Sequence, residues 1–180
     1  MAKILVPLAN GFEEIEAVAI IDILRRAGIE VVVAGLRTGL ATGAHNISVA
    51  CDAVLNAGMA NSIDGVVLPG GMPGTTALVQ NNVLREIIVE MDRQNKLLAA
   101  ICAAPAVLYA AGVLEGRIAA CYPGNEKEMP GITHSLENHV CDGNIITSRG
   151  PGTAIEFSLA IVRYLAGPAA AAGLKKTLVA

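Results

Sequence analysis

Short, mostly apolar runs and stretches of helical period alternate along this chain. Lys3–Pro7, Glu30–Ala34, Gly65–Leu68, Leu97–Ile101 and Asn144–Ser148 have the length of strands, and Leu97–Ile101 is apolar throughout, as a strand buried on both faces must be. The stretch from Glu13 to the residue before Gly28 has another rhythm. There Glu16, Ile20, Ile23, Leu24 and Ala27 fall on one stripe at a period of 3.6 residues. Acidic residues in its first turn and Arg25 and Arg26 in its last complete a helix signal. This helix is expected to turn Glu16 to the core and to point Glu14, Asp22 and Arg25 away. Asn82–Asn95 predicts a second helix through Val83, Leu84, Ile87, Ile88 and Met91, and Pro105 opens a third that Gly112 stops. Ala154–Leu165 predicts a fourth, with Thr153 at its N-cap and Gly167-Pro168 at its end, and the tail from Ala169 has room for one short helix more. Leu36–Ala60 reads as an irregular hairpin with strand-like pieces around Ile47–Ala50, and the pattern loosens between Gly112 and Asn144.

The order strand, helix, strand builds parallel sheets. A chain of 180 residues suits a single domain, here residues 1–180, with no repeat or linker dividing it. The core must be built from Ala, Val, Ile and Leu, because the chain is 53% hydrophobic yet only 3% aromatic and lacks Trp. The expected fold class is therefore an α/β sandwich around a mostly parallel sheet. Net charge is −3 and no basic cluster occurs, which argues against a nucleic-acid partner. Leu97–Leu114 carries no charge, but Pro105 and Gly112 interrupt it and no positive flank orients it, so it is not read as a membrane span. The N-terminus runs straight into the first strand without a signal-peptide cleavage region. Cys51, Cys102, Cys121 and Cys141 show no zinc or thioredoxin spacing. A reducing, cytoplasmic setting is expected, with no metal and no cofactor.

Candidate chemistry centres on Cys102. It ends the most apolar strand, and Ala100 and Ala104 stand where a G-x-S-x-G nucleophile elbow has glycine. An isolated cysteine in an apolar run is ordinarily a small core residue, and Cys51, Cys121 and Cys141 are read that way. Cys102 differs in its context. Ligands bind beyond the carboxyl ends of parallel strands, and three features lie at such ends: the Ala9–Glu16 corner, the Pro69–Gly74 loop and Cys102. If these meet, a core-facing carboxyl, a nest of glycine N–H groups and a thiol share one pocket. A thiolate and a carboxylate at contact distance hold one proton between them, and a helix N-terminus under the sulfur favours the charge on Cys102 and the proton on Glu16. The N–H groups of Gly71 and Ala103 would then receive an oxyanion formed by thiolate attack on a carbonyl.

Four ordered motifs, Asn10–Glu16, Leu68–Gly71, Ala99–Pro105 and Thr147–Thr153, resemble the ThiJ/PfpI superfamily in its DJ-one-like branch over about Lys3 to Gly167. The resemblance implies a flavodoxin-like three-layer sandwich of the class I glutamine amidotransferase-like kind. It also implies a nucleophilic Cys102, a protonated Glu16, an oxyanion hole from Gly71 and Ala103, and a homodimer with the first helix near the interface. Members are described as cofactor-free glyoxalases acting on methylglyoxal, as deglycases, as redox-responsive proteins and as chaperones. Wider branches are amidases or proteases. Several relatives place a histidine near the thiol; here that position is Ile132, with His134 two residues on as a possible auxiliary. His45 stands where relatives have an arginine that, with a residue matching Arg26, holds an anion near the dimer interface; read from the residues alone it is a solvated histidine. Arg149 is expected to order its own corner.

Overall fold

A computed structural model of the chain describes residues 1–180. It opens with β1 (Lys3–Leu8), α1 (Glu14–Arg26) and β2 (Glu30–Gly35). β3 (Leu40–Thr42) and β4 (Ser48–Ala50) form a hairpin, followed by β5 (Ala53–Val54), a short helical turn over Ala57–Asn61, and β6 (Gly65–Leu68). α2 (Gly74–Val79) and α3 (Asn82–Arg93) lead into β7 (Leu97–Ile101) and α4 (Pro105–Ala110). β8 (Ile118–Ala119), β9 (Thr133–His134), β10 (His139–Asp142), β11 (Ile145–Ser148), α5 (Ala154–Ala166) and α6 (Pro168–Leu178) complete it.

Seven strands form one sheet in the order β10-β11-β7-β6-β1-β2-β5, parallel except where β10 pairs antiparallel with β11. Side chains alternate across it as strand geometry requires. Ile4, Val6 and Leu8 of β1, with Leu97, Ala99 and Ile101 of β7, pack under α1, α5 and α6. Leu5, Leu68, Leu98 and Ala100 face the other way, against Leu84, Ile87 and Ile88 of α3 and Leu108 of α4. Both faces are covered, so the expected three-layer sandwich with a mostly parallel sheet is the observed one. No helix is long and apolar enough to cross a membrane.

Register explains where the chemistry gathers. β1, β6, β7 and β11 are neighbours, and their carboxyl ends lead into the corners singled out in the sequence. In such a sheet the residues after adjacent parallel strands necessarily meet at one rim.

Several details depart from expectation. α2 is a separate helix where only a loop is expected, and β5 and β10 are additional edge strands. Thr153 stands at the N-cap of α5 but makes no cap bond; its hydroxyl turns back to the Gly150 carbonyl and lies 2.7 Å from Ser148 Oγ. Glu14 does point away from the α5-facing stripe, yet it is buried. The turn between β3 and β4 folds over it, and its carboxylate accepts from the backbone N–H groups of His45 at 2.6 Å and Ile47 at 3.4 Å.

Candidate active site

Cys102 closes β7 through its own N–H, which donates to the Ser148 carbonyl at 3.0 Å as the β7–β11 ladder ends. Its φ of +65° lies in the left-handed region, a strained conformation for a side chain, at a cost on the order of 1–3 kcal/mol. Ala103 and Ala104 are small enough for the chain to reverse at once into α4, whose first residue is Pro105. The corner leaves Cys102 half-buried, with the N–H groups of Gly71 and Ala103 directed at its sulfur.

The other two elements arrive as anticipated. Glu16, in the first turn of α1, is fully buried, and its Oε2 accepts from the Gly70 N–H at 2.7 Å. The Gly70 carbonyl in turn accepts from Glu13 N–H at 2.9 Å, which ties the loop after β6 to the start of α1. Gly70 is the spacer between the Glu16 carboxyl and the Cys102 thiol. A methyl there would lie 2.8 Å from Cys102 Cβ, 3.0 Å from Ala103 N and 3.0 Å from Glu16 Oε2. Gly71 follows with a φ of +94°, where any Cβ would run into the backbone at Phe12 and Glu13. The structure thus brings Glu16, Gly71, Cys102 and Ala103 together and adds Gly70.

Burial pushes the Glu16 carboxyl up from its ordinary 4.5 to about 7 against the opposing Gly70 hydrogen bond. Burial, and then the adjacent Glu16 charge, push the Cys102 thiol up to about 12. These are two views of one pair. The charge and acceptor strength of Glu16 raise the thiol only while that carboxylate is ionised. With a neutral Glu16 they vanish, and what remains is burial, which still raises the thiol, opposed by the Gly71 and Ala103 N–H groups that favour sulfur anion. Glu16 Oε1 is sealed from water without a hydrogen-bond partner. A bare carboxylate oxygen is costly in that position, whereas a protonated one becomes a donor for the sulfur beside it. The geometry therefore favours the proton on Glu16.

The remaining expected residues lie elsewhere. His134 Nε2 is 3.2 Å from the Met129 carbonyl oxygen and makes no hydrogen bond with Cys102. Arg26 pairs with Asp22 at 2.6 Å in the last turn of α1, while His45 sits over the first turn, with Nδ1 2.8 Å from Glu14 Oε2. Twelve helical residues, or about 18 Å, separate the two ends, so Arg26 and His45 do not meet within one chain. Glu13, Glu14 and His45 place ligand atoms within 4.8 Å of one another. The His45 nitrogen nearest them is already committed to the Glu14 hydrogen bond, which raises the His45 pKa. In Glu14, burial works upward but is outweighed by hydrogen bonds from His45 and Ile47, which hold it below the usual range. Arg149 donates to the Leu136 carbonyl at 3.3 Å, so its side chain ties the corner to the segment before β10 and makes no hydrogen bond within the corner itself. All four cysteines are free, and Cys121 is buried, but Cys141 is exposed rather than packed in the core.

Residues 2–164 match the DJ-1/PfpI family. The chain belongs to that family. Among DJ-1/PfpI proteins it is similar to protein DJ-1 homolog B of Arabidopsis thaliana, 41% identical over 92% of this chain. It spans only 38% of that relative's length. It is also similar to the glutathione-independent glyoxalase DJR-1.2 of Caenorhabditis elegans, 36% identical over 98% of this chain and 95% of that one. A solved structure of oxidized Toxoplasma gondii DJ-1 superposes with a TM-score of 0.94 at 37% identity, covering 99% of this chain and 98% of its own. The DJ-1/PfpI fold thus extends over essentially the whole chain.

Proposed function

We propose that this protein is a cofactor-free, cysteine-dependent enzyme that converts α-oxoaldehydes such as methylglyoxal to α-hydroxy acids, with early glycation adducts as related electrophiles. The observation that carries this reading is the Cys102 sulfur between two N–H groups beside a buried Glu16 oxygen that has no other partner. The nematode relative's name, glutathione-independent glyoxalase, supports the same chemistry.

The Cys102 thiolate forms a C–S bond to the aldehyde carbon, and the C=O electron pair moves to oxygen. Gly71 and Ala103 N–H groups meet that oxyanion, and Glu16 supplies its proton. The resulting Glu16 carboxylate removes the hydrogen on the same carbon as a proton and returns it to the neighbouring carbonyl carbon, while the hydroxyl proton crosses to the neighbouring oxygen. One carbon is oxidised and the next reduced, so no external redox partner is needed. Water then breaks the thioester: its OH bonds to the acyl carbon, the thiolate leaves, and the remaining proton returns to the Glu16 carboxylate, which releases the hydroxy acid and restores the starting pair. The test is lactate formation from methylglyoxal by wild type, Cys102→Ser and Glu16→Gln. Loss in both variants by at least a hundredfold is expected; equal output from all three rejects the mechanism.

The solved structure of an oxidized DJ-1 relative supports a second reading, a redox switch in which the half-buried Cys102 is oxidised to sulfinate and steadied by protonated Glu16. Selective sulfinate at Cys102 under mild peroxide, with no aldehyde turnover, would favour it. An amidase or protease reading has less support, since His134 makes no hydrogen bond to the thiol. A homodimer is also proposed. Ile15 and Val18 of α1 and Ile47 of the β3–β4 turn are exposed, and the Ile47 N–H contact with Glu14 sets the turn against the helix.

A further inference from the structure

We infer that the protein carries a second small-molecule site, apart from Cys102, in which Arg37 holds the anionic head of a hydroxylated organic anion the size of a sugar acid or sugar phosphate. The site is a cavity of about 480 Å³ over the carboxyl ends of β1 and β2, within the size range of small-molecule pockets. Strand order explains why a hollow opens there. β1 lies between β2 and β6. The chain leaves β1 for α1, on the sheet face that α5 covers, and leaves β6 for α2 and α3 on the opposite face. Where neighbouring connections part in this way, a crevice forms at the strand ends. Ala9 and Asn10 enter it after β1, Leu36–Thr38 after β2, and Pro73 and α2 after β6. Cys102, Glu16 and Gly71 do not line it, so its ligand is not the substrate of the thiol.

The chemistry of the wall selects the occupant. Arg37 brings its only formal charge, and the guanidinium makes no hydrogen bond or ion pair within the chain. A planar fork of donors in that state takes a carboxylate or phosphate without first breaking another pairing. Asn10 Oδ1 accepts from the Thr42 N–H at 3.0 Å, which leaves the side-chain NH2 as a donor. Thr38 and Gln80 make no side-chain hydrogen bond, and the Thr76 hydroxyl reaches only the Met72 sulfur at 3.9 Å. All of these polar residues are exposed, so a ligand in the cavity can reach them. Their uncharged groups match hydroxyls, and Leu36, Leu40 and Ala77 receive the carbon between. No aromatic ring lines the cavity, so a nucleotide base has nothing to stack on. Gluconate, with thirteen heavy atoms, would fill roughly four-fifths of the space if each took the volume of a liquid water.

The probes for the test are gluconate, glucose 6-phosphate and neutral glucitol, followed by backbone amide resonances and by titration calorimetry. Either anion at millimolar concentration should shift the amides of Leu36, Thr38, Thr76 and Gln80. Glucitol should bind at least about tenfold more weakly, the low end of what a hydrogen bond to a charged group contributes. Arg37→Gln should weaken both anions by a similar factor and leave glucitol unchanged. Cys102→Ser should bind both anions as wild type does. The tighter anion identifies the head group, and either one upholds the site. Absence of the shifts with both anions, equal affinity for glucitol, or undiminished binding in Arg37→Gln overturns it. Loss of binding in Cys102→Ser places the ligand at the thiol and overturns it as well.

Discussion

Glu16 is a carboxyl the fold has removed from water and left with one N–H donor, so its protonation is written into stability. Its folded pKa is raised from 4.5 to about 7. The native state therefore holds a proton that the unfolded chain releases. The stabilising contribution is complete below pH 4.5 and is lost as pH rises through about 7. The size of that loss is about 3 kcal/mol. Urea unfolding of wild type and Glu16→Gln across this interval should show the difference between them changing in that direction; parallel curves would mean that Glu16 is not protonated in the native state. At this scale the sequence was informative where periodicity speaks. The stripe through Ile20, Ile23 and Leu24 put Glu16 inward. It was silent where a distant segment intervenes. Glu14 is buried only because residues 43–47 fold over it, and no local pattern signals that contact.

Elements with one uniform rhythm were legible. β6 and β7 have the expected limits because each is a closed apolar run, and α3 follows its apolar spacing, with Asn81 Oδ1 accepting from Leu84 N–H at 2.9 Å to cap its start. Ile88→Ala in α3, which empties a fully buried position, should cost about 2–5 kcal/mol, whereas Val89→Ala, 46% exposed, should cost under about 1 kcal/mol. Equal chemical-denaturation midpoints for the two variants would contradict this packing. Less legible were elements whose partners are remote. β5 has two residues and exists only by pairing with Ala34 and Gly35. β10 carries a local signal, since Gly143-Asn144 is the two-residue hairpin turn that joins it to β11. α2 begins at Gly74 inside a run of loop-forming residues, so composition concealed the helix that carries Thr76.

The sheet order makes the whole molecule a device for convergence. β1, β6 and β7 lie side by side, so a carboxyl near the start of the chain, a glycine loop in its middle and a cysteine beyond both arrive at one rim. The sequence motifs identified the participants, and the topology supplies their separation. The proposed dimer belongs to this scale: wild type should sediment as a dimer and Val18→Asp, in the exposed row of α1, as a monomer. A monomeric wild type would contradict it. The central claim is that one proton is shared at that rim, with the charge on sulfur and the proton on carboxyl. Ultraviolet thiolate absorbance, titrated in wild type and in Cys102→Ser, tests it most directly. A thiolate present near neutral pH in wild type and absent from the variant is the predicted result. A wild-type titration with no thiolate absorbance beyond that of Cys102→Ser until pH is far above neutral would contradict it.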